Sequence, residues 1–143
     1  MAIRVRKLRL ADYEAMIEIF GVCGLTPRVR GRDSRGNLAK QLRAPSNVFL
    51  GAFDGARLVG TVLGTHDTRK AWINRLAVLP EYRRRGIARR LVRAAERGLR
   101  ARGLEIFAAL VEEDNVASQS LFTQLGYGTQ GIVYYRRKLR DDI

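Results

Sequence analysis

The sequence predicts an α/β chain of the α+β kind, one domain with a sheet and about four helices, and three observations carry that reading. Two apolar runs, Val48 to Phe53 and Leu58 to Thr65, flank Asp54-Gly55, a hairpin signal because the turn needs positive φ. A third apolar strand, Ala71 to Val78, runs into Arg83-Arg84-Arg85-Gly86-Ile87-Ala88 and then into an amphipathic helix towards Arg102. At 143 residues the chain is long enough for one real core and too short for two ordinary domains.

Taken in order, Ile3, Val5 and Leu8 with basic residues between them predict a half-buried first strand. Ala11 to Val22 carries apolar residues at helical spacing, and Asp12 and Glu14 suit its positive first turn. Gly24 to Gly36 has no periodicity and reads as a loop. Ser34 or Asn37 then caps a short helix through Leu42. After the three strands, Ile87, Leu91, Ala95 and Leu99, with Ala88 and Val92 beside them, form one apolar stripe on a long helix. Ile106 to Val111 predicts a further strand, and Asn115 to Leu125 a last helix. Tyr127 to Leu139 reads as one or two final strands, broken near Gly128 or Gly131.

The junction at Arg83 to Arg89 has the chemistry of a pyrophosphate cradle. The first turn of a helix has N–H groups without intrahelical partners and roughly half a positive charge from aligned peptide dipoles. Gly86 lets an oxygen approach the main chain, and Ala88 keeps the next turn slim. Arg83, Arg84, Arg85 and Arg89 add charge-assisted hydrogen bonds to the same anion.

Composition bounds the function. The net charge is +13, with 23 arginines against 4 lysines, but the basic residues spread from Arg4 to Arg140 and no nucleic-acid-binding motif is present. A GC-rich genome accounts for such a bias, so nucleic acid is not the expected partner. The one cysteine, Cys23, excludes an intrachain disulfide, and no cysteine pair suggests zinc or redox work, so no metal is expected. Neither a signal-length apolar run nor a membrane-span-length segment appears, and the expected location is the cytoplasm.

The ordered set L-A-V-x-P-x-Y-R-x-x-G-I-A, from Leu76 to Ala88, followed by N-x(5)-L-F-x-x-L-G-Y, from Asn115 to Tyr127, resembles the GNAT superfamily of acetyl-CoA-dependent N-acetyltransferases. The Gly60-Thr61-Val62 and Trp72-Ile73-Asn74 stretches resemble its small bacterial YpeA-like branch. The resemblance implies a mixed, mostly antiparallel sheet that splays between its fourth and fifth strands. It implies acetyl-CoA as co-substrate: backbone groups of Leu76, Ala77 and Val78 hold the pantetheine arm as if it were a strand, and main-chain groups from Arg84 to Arg89 hold the pyrophosphate. Asn115 matches the asparagine whose amide touches the cofactor in that family, and it is equally an ordinary N-cap. The loop from Gly24 to Gly36 corresponds to the roof of the acceptor site.

The implied reaction is direct attack of a primary amine on the thioester in a ternary complex. It needs an acid for the departing thiolate, and here the chain departs from the family: Phe122 stands where many members carry a tyrosine. Tyr127, Tyr134 and Tyr135 are the substitutes to weigh, each against a plain packing role. Where relatives carry glutamates, this chain has Asn74 and Leu110. Glu112, in the acidic run Glu112-Glu113-Asp114, is the candidate base or proton relay, set against a solvated turn that favours the next helix. Arg28, Arg30 and Asn74 are the candidate acceptor contacts, with Arg32, Asp33, His66 and Asp67 nearby in sequence; arginines there would favour an acceptor with a carboxylate beside its amine. Cys23 is expected to pack rather than react. Two other classes stay open: a catalytically weak acyl-CoA-binding sensor, and a nucleic-acid binder. The protein is expected as a monomer or a homodimer.

Overall fold

Five strands form one sheet whose spatial order, β1-β2-β3-β4-β5, follows the chain. The computed structural model describes residues 2–143. β1 (Ile3–Lys7), β2 (Val48–Asp54), β3 (Arg57–His66) and β4 (Ala71–Val78) run antiparallel, and β5 (Phe107–Ala109) pairs parallel with β4. A parallel pair requires a crossover, supplied by the helix α3 (Ile87–Ala101). The other helices are α1 (Tyr13–Val22), entered through a 3₁₀ turn at Leu10–Asp12, α2 (Arg35–Arg43) and α4 (Val116–Gln124). Ser34 is the cap of α2, its Oγ accepting from the Asn37 N–H at 3.1 Å.

Strand β3 is buried without a break from Leu58 to Gly64, because α3 covers one face of the sheet and α1 packs on β3 and β4. The expected stripe faces the core: Ile87, Leu91, Val92, Ala95 and Leu99 are all buried. Close seating of α3 depends on two glycines of β3. A Cβ at Gly60 would stand 3.0 Å from Leu91 Cδ1 and 3.3 Å from Ile87 Cγ2, and one at Gly64 would stand 3.1 Å from Leu99 Cδ1. The β2–β3 turn follows the hairpin expectation, with Asp54 paired to Arg57 and Gly55 at φ +59°.

The C-terminal end departs from the expectation. No strand forms between Tyr127 and Leu139, and β5 spans three residues rather than the six from Ile106 to Val111. Strand propensity requires a face to pack on and an edge to pair with. Ile132, Val133, Tyr134 and Tyr135 instead stand exposed in sequence, without alternation. The tail turns back over the loop between α1 and α2: Arg140 donates to the Arg30 carbonyl at 3.2 Å, and Ile143 packs against Gly31.

Candidate active site

The sheet opens at a defined residue. β4 pairs with β5 only from Ala71 to Ile73, so from Asn74 onward that edge of β4 has no strand partner among the described residues. A β-bulge marks the departure: Asn74 pairs with Leu63 and Ala77 with Thr61, leaving Arg75 and Leu76 opposite Val62 alone. Arg75 takes the left-handed conformation, φ +50°, and the buried Thr61 donates from Oγ1 to the Arg75 carbonyl at 2.8 Å. Among the three residues expected to offer backbone groups, Leu76 and Ala77 lie on the opened stretch. The carbonyl of Val78, at its far end, already accepts from Arg83 Nε at 3.0 Å and from the Cys23 thiol at 3.4 Å.

The strand then turns through Pro80–Tyr82, which is held to the hairpin by Tyr82 donating to Asp54 at 2.6 Å and by the Arg57–Glu81 pair at 3.2 Å. Arg84 at φ +63° and Gly86 at φ +76° are both left-handed. Gly86 is the N-cap of α3 and no side chain caps the helix, so the N–H groups of its first turn have no side-chain acceptor. The arginines around this cradle divide. Arg83 is drawn back onto the end of β4, Arg85 lies over the Tyr82 ring at 5.2 Å, and Arg89 donates to Gln124 of α4 at 2.8 Å. Ile87 is buried beneath the cradle, Ala88 half-buried, and Arg84 exposed. A cleft of about 220 Å³ follows the outer side of α3, lined by Gly86, Arg89, Arg90, Arg93 and Arg97.

Sequence reasoning missed the residue that ties the opened strand to the loop between α1 and α2. Arg75 reaches from the bulge to the α1–α2 loop, where its guanidinium donates to the Leu25 carbonyl and pairs with Asp33 at 2.5 Å. It lies over the Phe20 ring at 5.0 Å. Burial pulls the Arg75 pKa below the usual guanidinium range, and the Asp33 carboxylate opposes that pull. An arginine inside the apolar run Trp72 to Val78 is the one signal the sequence offered, since a buried cation needs an acid. Arg28 is half-buried in the same loop and its N–H donates to Asp33 at 2.7 Å; Arg30 is exposed. Asn74 stands at the opening, half-buried, with Nδ2 3.4 Å from Thr65 Oγ1. His66 accepts from the Thr68 N–H at 2.9 Å, and Asp67 accepts from the N–H groups of Arg69 and Lys70, bonds that hold its carboxyl below the usual range.

The remaining candidates fall into separate settings. Asn115 caps α4, its Oδ1 accepting from the Ser118 N–H at 3.1 Å, which leaves Nδ2 for a ligand. Glu112 is exposed in a turn clamped by Gln119, which donates to the carbonyls of Glu112 and Glu113 at 3.1 and 2.8 Å. Phe122 is buried and meets the Tyr127 ring edge-on, with centroids 4.9 Å apart. Tyr127 donates its hydroxyl to Glu96 of α3 at 2.5 Å; burial, and then Glu96, pushes its pKa far above the ordinary phenol range. Tyr135 is 90% exposed, in the tail that forms no strand. The structure therefore does not gather Glu112, Tyr127 and Tyr135 into one group.

An edge opened by a bulge and leading into an uncapped, glycine-started helix is the arrangement expected for an acyl-CoA site, and the comparisons with known proteins give the family. The model of the acetyltransferase (GNAT) family matches residues 13–127. The chain belongs to the GNAT acetyltransferase family. An acetyltransferase of Pectobacterium atrosepticum is 30% identical over 138 residues, 96% of each chain. Among solved structures, the PaiA N-acetyltransferase of Thermoplasma acidophilum, in complex with coenzyme A, superposes with a TM-score of 0.84 at 23% identity, covering 93% of this chain and 94% of that one. The aminoglycoside N-acetyltransferase AAC(6')-Iy gives 0.78 at 18% identity over 97% and 96%. This GNAT member is thus an enzyme of acetyl transfer, and acetyl-CoA is its co-substrate. No helix among the described residues is long and apolar enough to cross a membrane.

Proposed function

We propose that this acetyltransferase acts on a primary amine, a small molecule or the α-amine of an amino acid or peptide, by direct attack in a ternary complex in the cytoplasm. The single observation that carries the reading is the continuous path from the opened β4 edge at Asn74 to the left-handed cradle at Gly86. Leu76 and Ala77 would take the pantetheine arm, and the first N–H groups of α3 with Arg84 the pyrophosphate. Neighbours of the same fold with coenzyme A bound support coenzyme A chemistry for this fold.

In the transfer, the amine lone pair forms the new C–N bond at the thioester carbonyl carbon and the C–S bond breaks. The ammonium proton leaves to water and the thiolate takes a proton. An N–H of the opened β4 edge would polarise the carbonyl. No carboxylate at Asn74 or Leu110 serves as base, which favours an acceptor that needs little help. An α-amine of pKa ~7.8 is neutral about one time in seven at pH 7, against about once in 2,500 for a lysine amine. Glu112 is our candidate for a water-relayed base. Solvent is our candidate acid, since a thiol of pKa ~8.5 leaves readily and the Tyr127 hydroxyl is committed to Glu96. Arg28 and Arg30 support an acceptor with a carboxylate beside its amine.

A panel of amino acids, dipeptides, polyamines and aminoglycosides, followed by free-thiol release from acetyl-CoA, tests this. Fastest turnover with an amino acid or peptide α-amine is the expected result, and spermidine acetylated far faster would overturn the acceptor class. Phe122 in place of a tyrosine and the bound state of Tyr127 favour one second reading, a catalytically weak member of the family that binds acyl-CoA as a sensor. Turnover of any primary amine at an ordinary enzymatic rate removes it.

A further inference from the structure

Arg75 is in a conformation that an arginine adopts at a cost, and such a residue persists only where its surroundings fix it. Here they fix it from two sides. Its carbonyl is held by Thr61 of β3, inside the sheet on the paired side of β4, across the strand from the opened edge. Its guanidinium is held by Leu25 and Asp33, which belong to the loop between α1 and α2. That loop is in turn built around Asp33. The Asp33 carboxylate accepts from the Arg28 N–H, its own N–H donates to the Arg28 carbonyl at 3.0 Å, and its carbonyl accepts from the Tyr13 hydroxyl at 2.7 Å. Asn37 and Gln41 of α2 secure the neighbouring carbonyls of Gly31 and Arg32 at 2.7 and 3.0 Å.

The pair is nearly closed to solvent, with side-chain exposures of 13% for Arg75 and 5% for Asp33, so it is not a screened surface contact. Arg75 lies between Asn74, where the sheet opens, and Leu76, which offers backbone groups to the thioester arm. One guanidinium thus joins the residue that opens the sheet to the loop over the acceptor.

We propose that Arg75 and Asp33 are positioning residues that seat the acceptor loop, residues 24–34, on the bulge of β4, so that acceptor geometry is set by the same residue that opens the cofactor edge. The proposal rests on the reading that this loop faces the amine. Neither residue touches a reacting atom. Arginine is required rather than lysine because two acceptors on different parts of the loop are served by one planar fork.

The test compares the wild type with Asp33→Asn, which keeps the shape of the side chain and removes its charge, and with Arg75→Lys, which keeps the charge and loses the fork. Three quantities are read on each: acetyl-CoA affinity by calorimetry, KM and kcat for the best amine of the panel, and amide hydrogen exchange of residues 24–34. We expect acceptor KM to rise about tenfold in both variants, acetyl-CoA affinity to stay as in the wild type, and loop exchange to accelerate about tenfold. Unchanged KM and unchanged exchange would overturn the proposal. So would a loss of acetyl-CoA affinity in step with the rise in KM, which would show general damage to the site. A wild type that binds no acetyl-CoA would instead overturn the functional reading, and the positioning role with it.

Discussion

Tyr127 and Glu96 join the segment after α4 to the middle of α3 through a hydrogen bond of 2.5 Å, beside the edge-on contact of Tyr127 with Phe122. The hydroxyl therefore serves a carboxylate of the scaffold. Tyr127→Phe should keep most of the turnover measured by thiol release, whereas loss of about a hundredfold would identify Tyr127 as the proton donor.

The same bond sets a pH dependence. Burial and Glu96 raise the Tyr127 pKa in the folded state, so its contribution is complete below the unfolded tyrosine value of about 10 and is lost as pH rises beyond it. Thermal unfolding between pH 9 and 11 should fall less steeply for Tyr127→Phe than for the wild type. Parallel slopes would contradict the assignment.

Phe122→Tyr introduces the hydroxyl that the family resemblance implies at this position, on a ring only 7% exposed. If the acyl site lies against its edge, turnover rises or stays level. Loss of most activity together with a lowered melting temperature would show that the site cannot accommodate a buried hydroxyl without a partner.

Gly60→Ala tests the seating of α3. Its Cβ would press on Leu91, on Ile87 and on the Ala77 carbonyl, which lies 3.2 Å away. We expect a stability loss of about 1–2 kcal/mol by denaturant titration, with weaker acetyl-CoA binding because Ile87 opens the helix that carries the cradle.

At acid pH, Asp12 is informative. Burial works against its ionisation, but the Arg6 side chain at 3.0 Å and the Arg9 N–H at 2.8 Å outweigh that and lower its pKa. A lowered folded pKa gives stability that is present above the unfolded value of about 3.9 and lost as pH falls through the folded one. Asp12→Asn should thus cost about 1 kcal/mol at pH 7 and progressively less below about pH 4, as read by urea denaturation.

Much of this architecture was legible because local chemistry decides it. The apolar runs Val48 to Phe53 and Leu58 to Thr65 around Asp54-Gly55, the stripe from Ile87 to Leu99, and the capping residues Ser34 and Asn115 each act within a few residues of themselves. The family motifs marked the cradle for the same reason. What escaped is set by long-range partners. Arg75 and Asp33 are 42 residues apart, and nothing local to either indicates the other. Val133, Tyr134 and Tyr135 favour strands, yet no sheet edge pairs with them, and the tail runs to Gly31 instead. Arg83 illustrates a finer limit: its position in the motif suggested a phosphate contact, but the nearby carbonyl of Val78 claims its Nε.

The most direct measurement is calorimetric titration of acetyl-CoA into the wild type and into Gly86→Glu at moderate salt. One-site micromolar binding by the wild type, weakened about a hundredfold (~2.7 kcal/mol) in the variant, is the predicted result, because the substitution forces a left-handed residue to carry a side chain and places a carboxylate in an anion cradle. Equal affinity in the two proteins would contradict the placement of the cofactor at Gly86, and no binding by the wild type would contradict the account as a whole.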